Sequence, residues 1–148
     1  TSTSHGPSYN KRYPSEFEKF TPVCTTVEMS KADKGELINS YDNSILYTDY
    51  ILDQVIGQLK ELPEWRSCMM YISDHGESLG EGGLYMHGVP IAISPREQLE
   101  IPFIVWTSDT SLKIKDMEVY KQYHVFHSVM NFLGARSEIY DETMNIFE

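Results

Sequence analysis

The 148-residue sequence predicts an α/β fold, and three observations carry that prediction. A long amphipathic stretch precedes two short apolar runs. A loop of unusual length, rich in glycine and proline, separates those runs. A second amphipathic stretch follows and ends on a glycine. Helix, buried strand, long loop, buried strand and helix in that order favour a parallel or mixed sheet covered on both faces. The length suits a single domain able to bury a core.

Residues 1 to 29 read as loop, because Gly6-Pro7, Pro14 and Pro22 interrupt regular structure. The first helix is expected over 31 to 61, opened by Ser30 with Asp33 three residues on in the manner of a capping box. Leu37, Tyr41, Ile45, Thr48, Leu52, Val55 and Leu59 recur at spacings of four and three, which makes one apolar stripe. Pro63 stops the helix. Cys68 to Ile72 is short, apolar and bounded by turn residues, as a fully buried strand would be, with Cys68 as a buried thiol. Residues 73 to 100 form the long loop, a kind usually kept for function. Ile101 to Trp106 is the second strand. Tyr120 to Leu133 is the last helix, closed by Gly134 in a left-handed cap.

Composition narrows the function classes. Apolar residues make up 41% and charged residues 23%, so the chain is globular material. Its net charge of −10 argues against a nucleic-acid partner, since phosphate backbones require a basic footprint. Phosphate esters stay open as substrates, because a bound divalent cation inverts the local field. The two cysteines, Cys24 and Cys68, have no zinc-finger spacing. No run of eighteen apolar residues appears. The chain opens without methionine, and we read it as a processed product or a piece of a longer protein.

The chemistry concentrates in "YISDHGESLGEGGLYMHG", residues 71 to 88. Asp74 and His75 close the first strand, and Gly76 permits the bend that lets a carboxylate and an imidazole converge on one ion at about 2.0–2.2 Å. Such mixed oxygen and nitrogen donors suit zinc or manganese better than calcium. The plainer alternative, Asp74 capping a turn and His75 packing as an ordinary polar residue, stays open on these residues alone. Gly82-Gly83 favours a tight turn that brings Tyr85 to His87 back toward residues 75 to 77, with Glu77 in reach. His5 in "SHGPSY" and His87 in "MHGVP" each precede a glycine in a rigid loop. That setting suits a ligand, a donor to phosphate oxygens or a proton donor. His124 and His127, on an otherwise apolar helix, read as structural or surface residues. No G-x-S-x-G elbow supplies a nucleophile. Two ligands at one strand end fall short of a zinc shell, so the residues describe part of a metal-dependent hydrolytic or transfer site.

The ordered segments "SHGPSYNKRYP", "KFTPVC", "SYDNSILYTDYILDQVI", "YISDHGESLGEGGLYMHG" and "IPFIVW" closely resemble the C-terminal part of the catalytic domain of membrane-anchored phosphoethanolamine transferases. These include lipid A-modifying and mobile colistin-resistance enzymes, within the sulfatase and alkaline phosphatase-like superfamily. The resemblance covers about residues 4 to 134. It implies an alkaline phosphatase/sulfatase-like sheet flanked by helices, incomplete at the N-terminal side, on the periplasmic face of a bacterial inner membrane. It implies transfer of phosphoethanolamine from phosphatidylethanolamine to lipid A or another envelope glycan through a zinc-held phospho-threonine.

By the same resemblance, Asp74 and His75 match zinc ligands. His5 and His87 match the substrate-side pair that binds phosphate, assists the leaving group or holds a second zinc, and Glu77 matches an acidic pocket residue. None of Thr1, Thr3, Thr21, Thr25 or Thr26 lies in the nucleophile's context. The nucleophile, a zinc-binding glutamate and the membrane helices are therefore expected upstream of these residues. The 148-residue chain alone is then expected to bind zinc weakly and to transfer nothing. Ala32 stands where relatives place the disulfide partner of Cys24, so that bridge is expected to be absent. Two other readings stay open on the sequence: a superfamily phosphodiesterase, glycerophosphotransferase or sulfatase, and a non-catalytic binding module that keeps the fold.

Overall fold

The structure, a computed structural model, describes residues 4–148; Thr1 and Thr3 fall outside the described residues. In chain order the regular elements are helix α1 (Lys34–Lys60), strands β1 (Cys68–Ile72), β2 (Ser78–Leu79) and β3 (Tyr85–Met86), the short helix α2 (Arg96–Leu99), strand β4 (Phe103–Thr107) and helix α3 (His124–Phe132). The chain divides into two compact units. One comprises the chain through Gln58 together with His75–Ile101; the other comprises Leu59–Asp74 with Pro102–Glu148. Among the described residues no helix is long and apolar enough to cross a membrane.

The first unit is built on α1. The helix starts three residues later than the sequence suggests, and its cap is Asp33. The Asp33 carboxylate accepts from Glu36 N–H at 3.1 Å, satisfying an amide that the first turn leaves without an intrahelical partner. Ser30 lies instead in a 3-10 turn, Met29–Lys31. The buried face also differs from the expected apolar stripe. It carries Leu37, Ser40, Asn43, Ser44 and Thr48, whereas Ile45 and Val55 are exposed.

The physical reason is what α1 packs against: irregular backbone, whose amides and carbonyls need partners. Asn43, fully buried, accepts from the amides of Lys19 and Phe20 and donates to the Phe20 carbonyl and the Tyr13 hydroxyl. Ser40 Oγ accepts from Cys24 N–H at 2.8 Å. Aliphatic side chains at these positions would strand those groups.

Beneath this face lies the core of the unit, Tyr9, Cys24, Met29 and Leu37. Ala32, Tyr41, Leu79, Tyr85 and Met86 pack against it. The hairpin β2–β3 pairs antiparallel, Ser78 with Met86 and Leu79 with Tyr85, across the turn the glycines predict. Gly80, Gly82 and Gly83 all take positive φ there, a region L-residues avoid.

In the second unit β1 pairs antiparallel with β4, from Cys68 opposite Thr107 to Ile72 opposite Phe103. The parallel pairing the sequence allows does not occur between them. A parallel connection needs a substantial crossover, usually a helix, and the single α-helix between these strands, α2, has only four residues. The strands are also less buried than expected, with Met69 alone buried in β1 and no residue buried in β4. Cys68 is half-buried and Cys24 is the buried thiol; neither is in a disulfide.

Helix α3 is shorter than the sequence stretch, and Tyr123 stands at its N-cap position. Gly134 closes it at φ 63°, as expected, with Ala135 N–H donating back to the Met130 carbonyl. The C-terminal residues return to this helix. Ile146 and Phe147 are fully buried, Ile146 N–H donates to Ser128 Oγ at 3.0 Å, and Phe147 bridges antiparallel to Ile114.

Candidate metal centre

Three imidazoles and a carboxylate converge in the first unit. His5, His75, Glu77 and His87 each offer a ligand atom, and those atoms all lie within 4.8 Å of one another. The rings of His75 and His87 stack with centroids 3.6 Å apart. His5 stands edge-on to both, at 4.9 Å from His87 and 5.7 Å from His75. Two stretches of the first unit bring them together. His5 sits in the segment just before Gly6-Pro7, and His75, Glu77 and His87 lie in the segment that carries the β2–β3 hairpin. Met86, in left-handed backbone at φ 63°, ends β3 and redirects the chain into His87.

The hydrogen bonds fix which ring nitrogen faces the centre. His5 Nδ1 lies 2.8 Å from the Gly6 carbonyl and His75 Nδ1 lies 2.9 Å from the Gly76 carbonyl. A carbonyl only accepts, so both Nδ1 atoms carry the proton and Nε2 keeps the lone pair. His87 Nδ1 lies 2.6 Å from Glu77 Oε1, which gives the same tautomer. All three rings thus present Nε2 as the ligating nitrogen, as in metal-site histidines whose other nitrogen donates to a carboxylate or a carbonyl.

Glycine 76 makes the His75 corner possible. A Cβ there would sit 2.0 Å from the Glu97 carbonyl oxygen, and Gly76 N–H donates to the Gln98 carbonyl at 3.0 Å. Gln98 in turn donates to the buried Ser78 Oγ at 2.9 Å, so α2 clamps both ends of the segment that carries Glu77.

Glu77 is the buried member, at 8% exposure. Its second oxygen, Oε2, accepts from the Tyr9 hydroxyl at 2.6 Å. Tyr9 is held far above the usual tyrosine pKa, first by burial and then by its hydrogen bond to Glu77, so it keeps its proton and donates. Sequence reasoning missed Tyr9. Its only signal was its place four residues after His5 in "SHGPSY", which no periodicity marks.

Of the residues singled out from sequence, His5, His75, Glu77 and His87 come together. Asp74 belongs to the second unit and its side chain is exposed. There its backbone carbonyl, with that of Ser73, accepts from the Gln122 side chain at 2.8 Å. His124 and His127 serve their helix: each Nδ1 accepts a backbone amide, from Lys121 and from Asp141. Three imidazole nitrogens and a nearby carboxylate suit zinc or a similar first-row ion, so the residues present fit such a metal.

The profile of the sulfatase family matches residues 1–135. The chain belongs to the sulfatase family. Within it, the chain is 38% identical over 157 aligned residues to the phosphoethanolamine transferase EptA of Escherichia coli K12, covering 98% of this chain and 29% of that relative. It is 49% identical over 105 residues to the phosphatidylethanolamine transferase Mcr-1 of Escherichia coli, covering 70% of this chain and 19% of that relative. Among solved structures, the C-terminal periplasmic domain of phosphoethanolamine transferase EptC from Campylobacter jejuni superposes with a TM-score of 0.86 at 44% identity. That match covers 97% of this chain and 48% of the other. The sulfatase-family chain therefore spans less than a third of the length of these curated relatives, and its relatives are phosphoethanolamine transferases, as the sequence segments suggested.

Proposed function

We propose that the protein to which this chain contributes transfers phosphoethanolamine from phosphatidylethanolamine to lipid A or another envelope glycan, at the periplasmic face of an inner membrane. The observation that carries the proposal is the convergence of His5, His75 and His87 through Nε2, within a sulfatase-family fold whose relatives carry out that class of transfer. Phosphoethanolamine transfer needs a nucleophile to accept the group and pass it on. We place that nucleophile, a threonine, together with the remaining ligands, in sequence beyond these 148 residues. In the first step the bond from phosphorus to the diacylglycerol oxygen breaks as the bond to threonine forms. In the second the threonine bond breaks as the acceptor oxygen attacks, and splitting one hard displacement in this way lowers each barrier.

The residues of this chain have definite parts in that scheme. His75 is a zinc ligand through Nε2, and Asp74 is retained as its companion on the resemblance to the family motif. His5 and His87 face the same point; neutral, they would hold a second zinc through Nε2, and protonated there they would donate to phosphoryl oxygens. Where no metal occupies it, His87 Nε2, with its ring braced by Glu77, can take the proton of an attacking hydroxyl and return it to the departing oxygen. Zinc, when bound, supplies charge stabilisation for the phosphoryl oxygens and lowers the pKa of a coordinated hydroxyl.

Lipid mass spectrometry of cells expressing the full-length protein tests this reading. A phosphoethanolamine group gained by lipid A or a core glycan, and lost with His87→Ala, is the expected result. Release of a free hydrolysis product with no modified lipid would point instead to a phosphodiesterase or sulfatase. The purified 148-residue chain should transfer nothing from a phosphatidylethanolamine analogue, and robust turnover by it would overturn the placement of the nucleophile elsewhere.

A further inference from the structure

Glu77 has both oxygens engaged, each by a different partner. Oε1 holds His87 Nδ1, and Oε2 takes the Tyr9 proton, each at 2.6 Å. Tyr9 is closely packed: it is 1% exposed, its ring stands edge-on to Tyr41 at 5.4 Å, and its hydroxyl lies where a side chain on Gly6 would have to go. A Cβ on Gly6 would lie 2.9 Å from that oxygen and 3.0 Å from the Met29 methyl. The phenol is thus wedged between the peptide that carries His5 and the carboxylate that holds His87.

We propose that Tyr9 is a positioning residue for the metal centre. By occupying Oε2 it holds the Glu77 carboxylate turned toward His87, which fixes the His87 tautomer with Nε2 as ligand. It also keeps Glu77 from swinging onto the metal, so the centre stays an imidazole set with Glu77 one step behind it. This rests on the metal reading above and reassigns Glu77 from substrate contact to orienting partner. Outer partners of metal-site histidines generally tune affinity about 10–100-fold, and a carboxylate anchored from behind is more rigid than one held by the imidazole alone.

The test uses the full 148-residue chain and Tyr9→Phe, which removes one oxygen and little volume. Cobalt(II), a visible-absorbing stand-in for zinc, is titrated into both. Tyr9→Phe should weaken binding about tenfold and move the cobalt absorption bands as an oxygen donor joins the shell. In the metal-free protein, the nitrogen-15 signals of His87 should change from a single Nδ1–H tautomer to a mixture, with His5 and His75 unchanged. Glu77→Gln, which keeps the packing, should reproduce the loss. Adding Tyr9→Phe to it should cost nothing further, because both act through one group.

Equal affinity in the parent and Tyr9→Phe with an unchanged His87 tautomer would overturn the proposal, as would additive losses in the double variant. Should Tyr9→Phe fail to fold, the Glu77→Gln tautomer decides, and a His87 still held wholly as Nδ1–H there would overturn it too. If the parent chain binds no cobalt, the metal reading falls by itself while the His87 tautomer in the variants still decides the role of Tyr9.

Discussion

Five histidines divide between two regions, and the division is chemical. In the loops of the first unit, His5, His75 and His87 give their Nδ1 proton to oxygen, two to the carbonyl of the next residue and one to Glu77. On α3, His124 and His127 do the reverse, each taking a backbone amide proton at Nδ1. A ring of the first kind offers Nε2 as a lone pair. A neutral ring of the second kind carries its proton at Nε2 and has none to offer there. The difference lies in what surrounds the ring. A histidine followed by glycine in a turn can reach the next carbonyl, whereas His124 and His127 meet the amides of Lys121 and Asp141, in the segments before and after the helix.

The largest break in that comparison should come from removing rings. His75→Ala or His87→Ala should take the chain's weak zinc binding below detection, a larger loss than the roughly 10–100-fold typical of losing an outer partner. His124→Ala and His127→Ala should leave it within about twofold, and calorimetric titration reads both. Next in size is Gly76→Ala. The added carbon would collide with the Glu97 backbone at 2.0 Å, which neither side can relieve cheaply. We expect a loss of about 3 kcal/mol in urea unfolding, together with weaker zinc binding because His75 moves with its peptide.

The smallest effect sharpens the other half of the comparison. Burial first, then the charges of Lys121 and His127, lowers the His124 pKa from the ordinary histidine value. The unfolded chain then binds a proton at higher pH than the folded one, so stability rises with pH where the two differ and falls on acidification below about 6.5. Protonation would also set an N–H of His124 against the Lys121 amide. His124→Asn keeps an acceptor without the titration, and should flatten the melting temperature between about pH 7 and 5 by on the order of 2 °C. An unchanged slope would count against this account of His124.

Much of this was legible before any coordinates. Periodicity placed α1 and α3 to within a few residues, and Gly82-Gly83 announced the hairpin that returns His87 to Glu77. Where the sequence misled, a specific competition decided the outcome. Ser30 and Asp33 are both good caps, and only the backbone shows that Asp33 receives the amide. The α1 stripe read as aliphatic, yet its buried face holds Ser40 and Asn43, because the segment it covers is loop with amides to satisfy, and Ser44, whose hydroxyl donates back to the Tyr41 carbonyl. Distance along the chain hid the centre itself. Seventy residues separate His5 from His75, and only the resemblance put them in one site. Tyr9 had no such help, since a tyrosine in a proline-rich loop gives no sign that a carboxylate 68 residues away will take its proton.

The central claim is that three rings are prepared as ligands and two are not. Long-range nitrogen-15 correlation spectra of the metal-free chain, at a pH where the imidazoles are neutral, report the protonated nitrogen of each histidine directly. The account predicts Nδ1–H for His5, His75 and His87 and Nε2–H for His124 and His127. The same tautomer in all five, or Nε2–H in any of the first three, would contradict it.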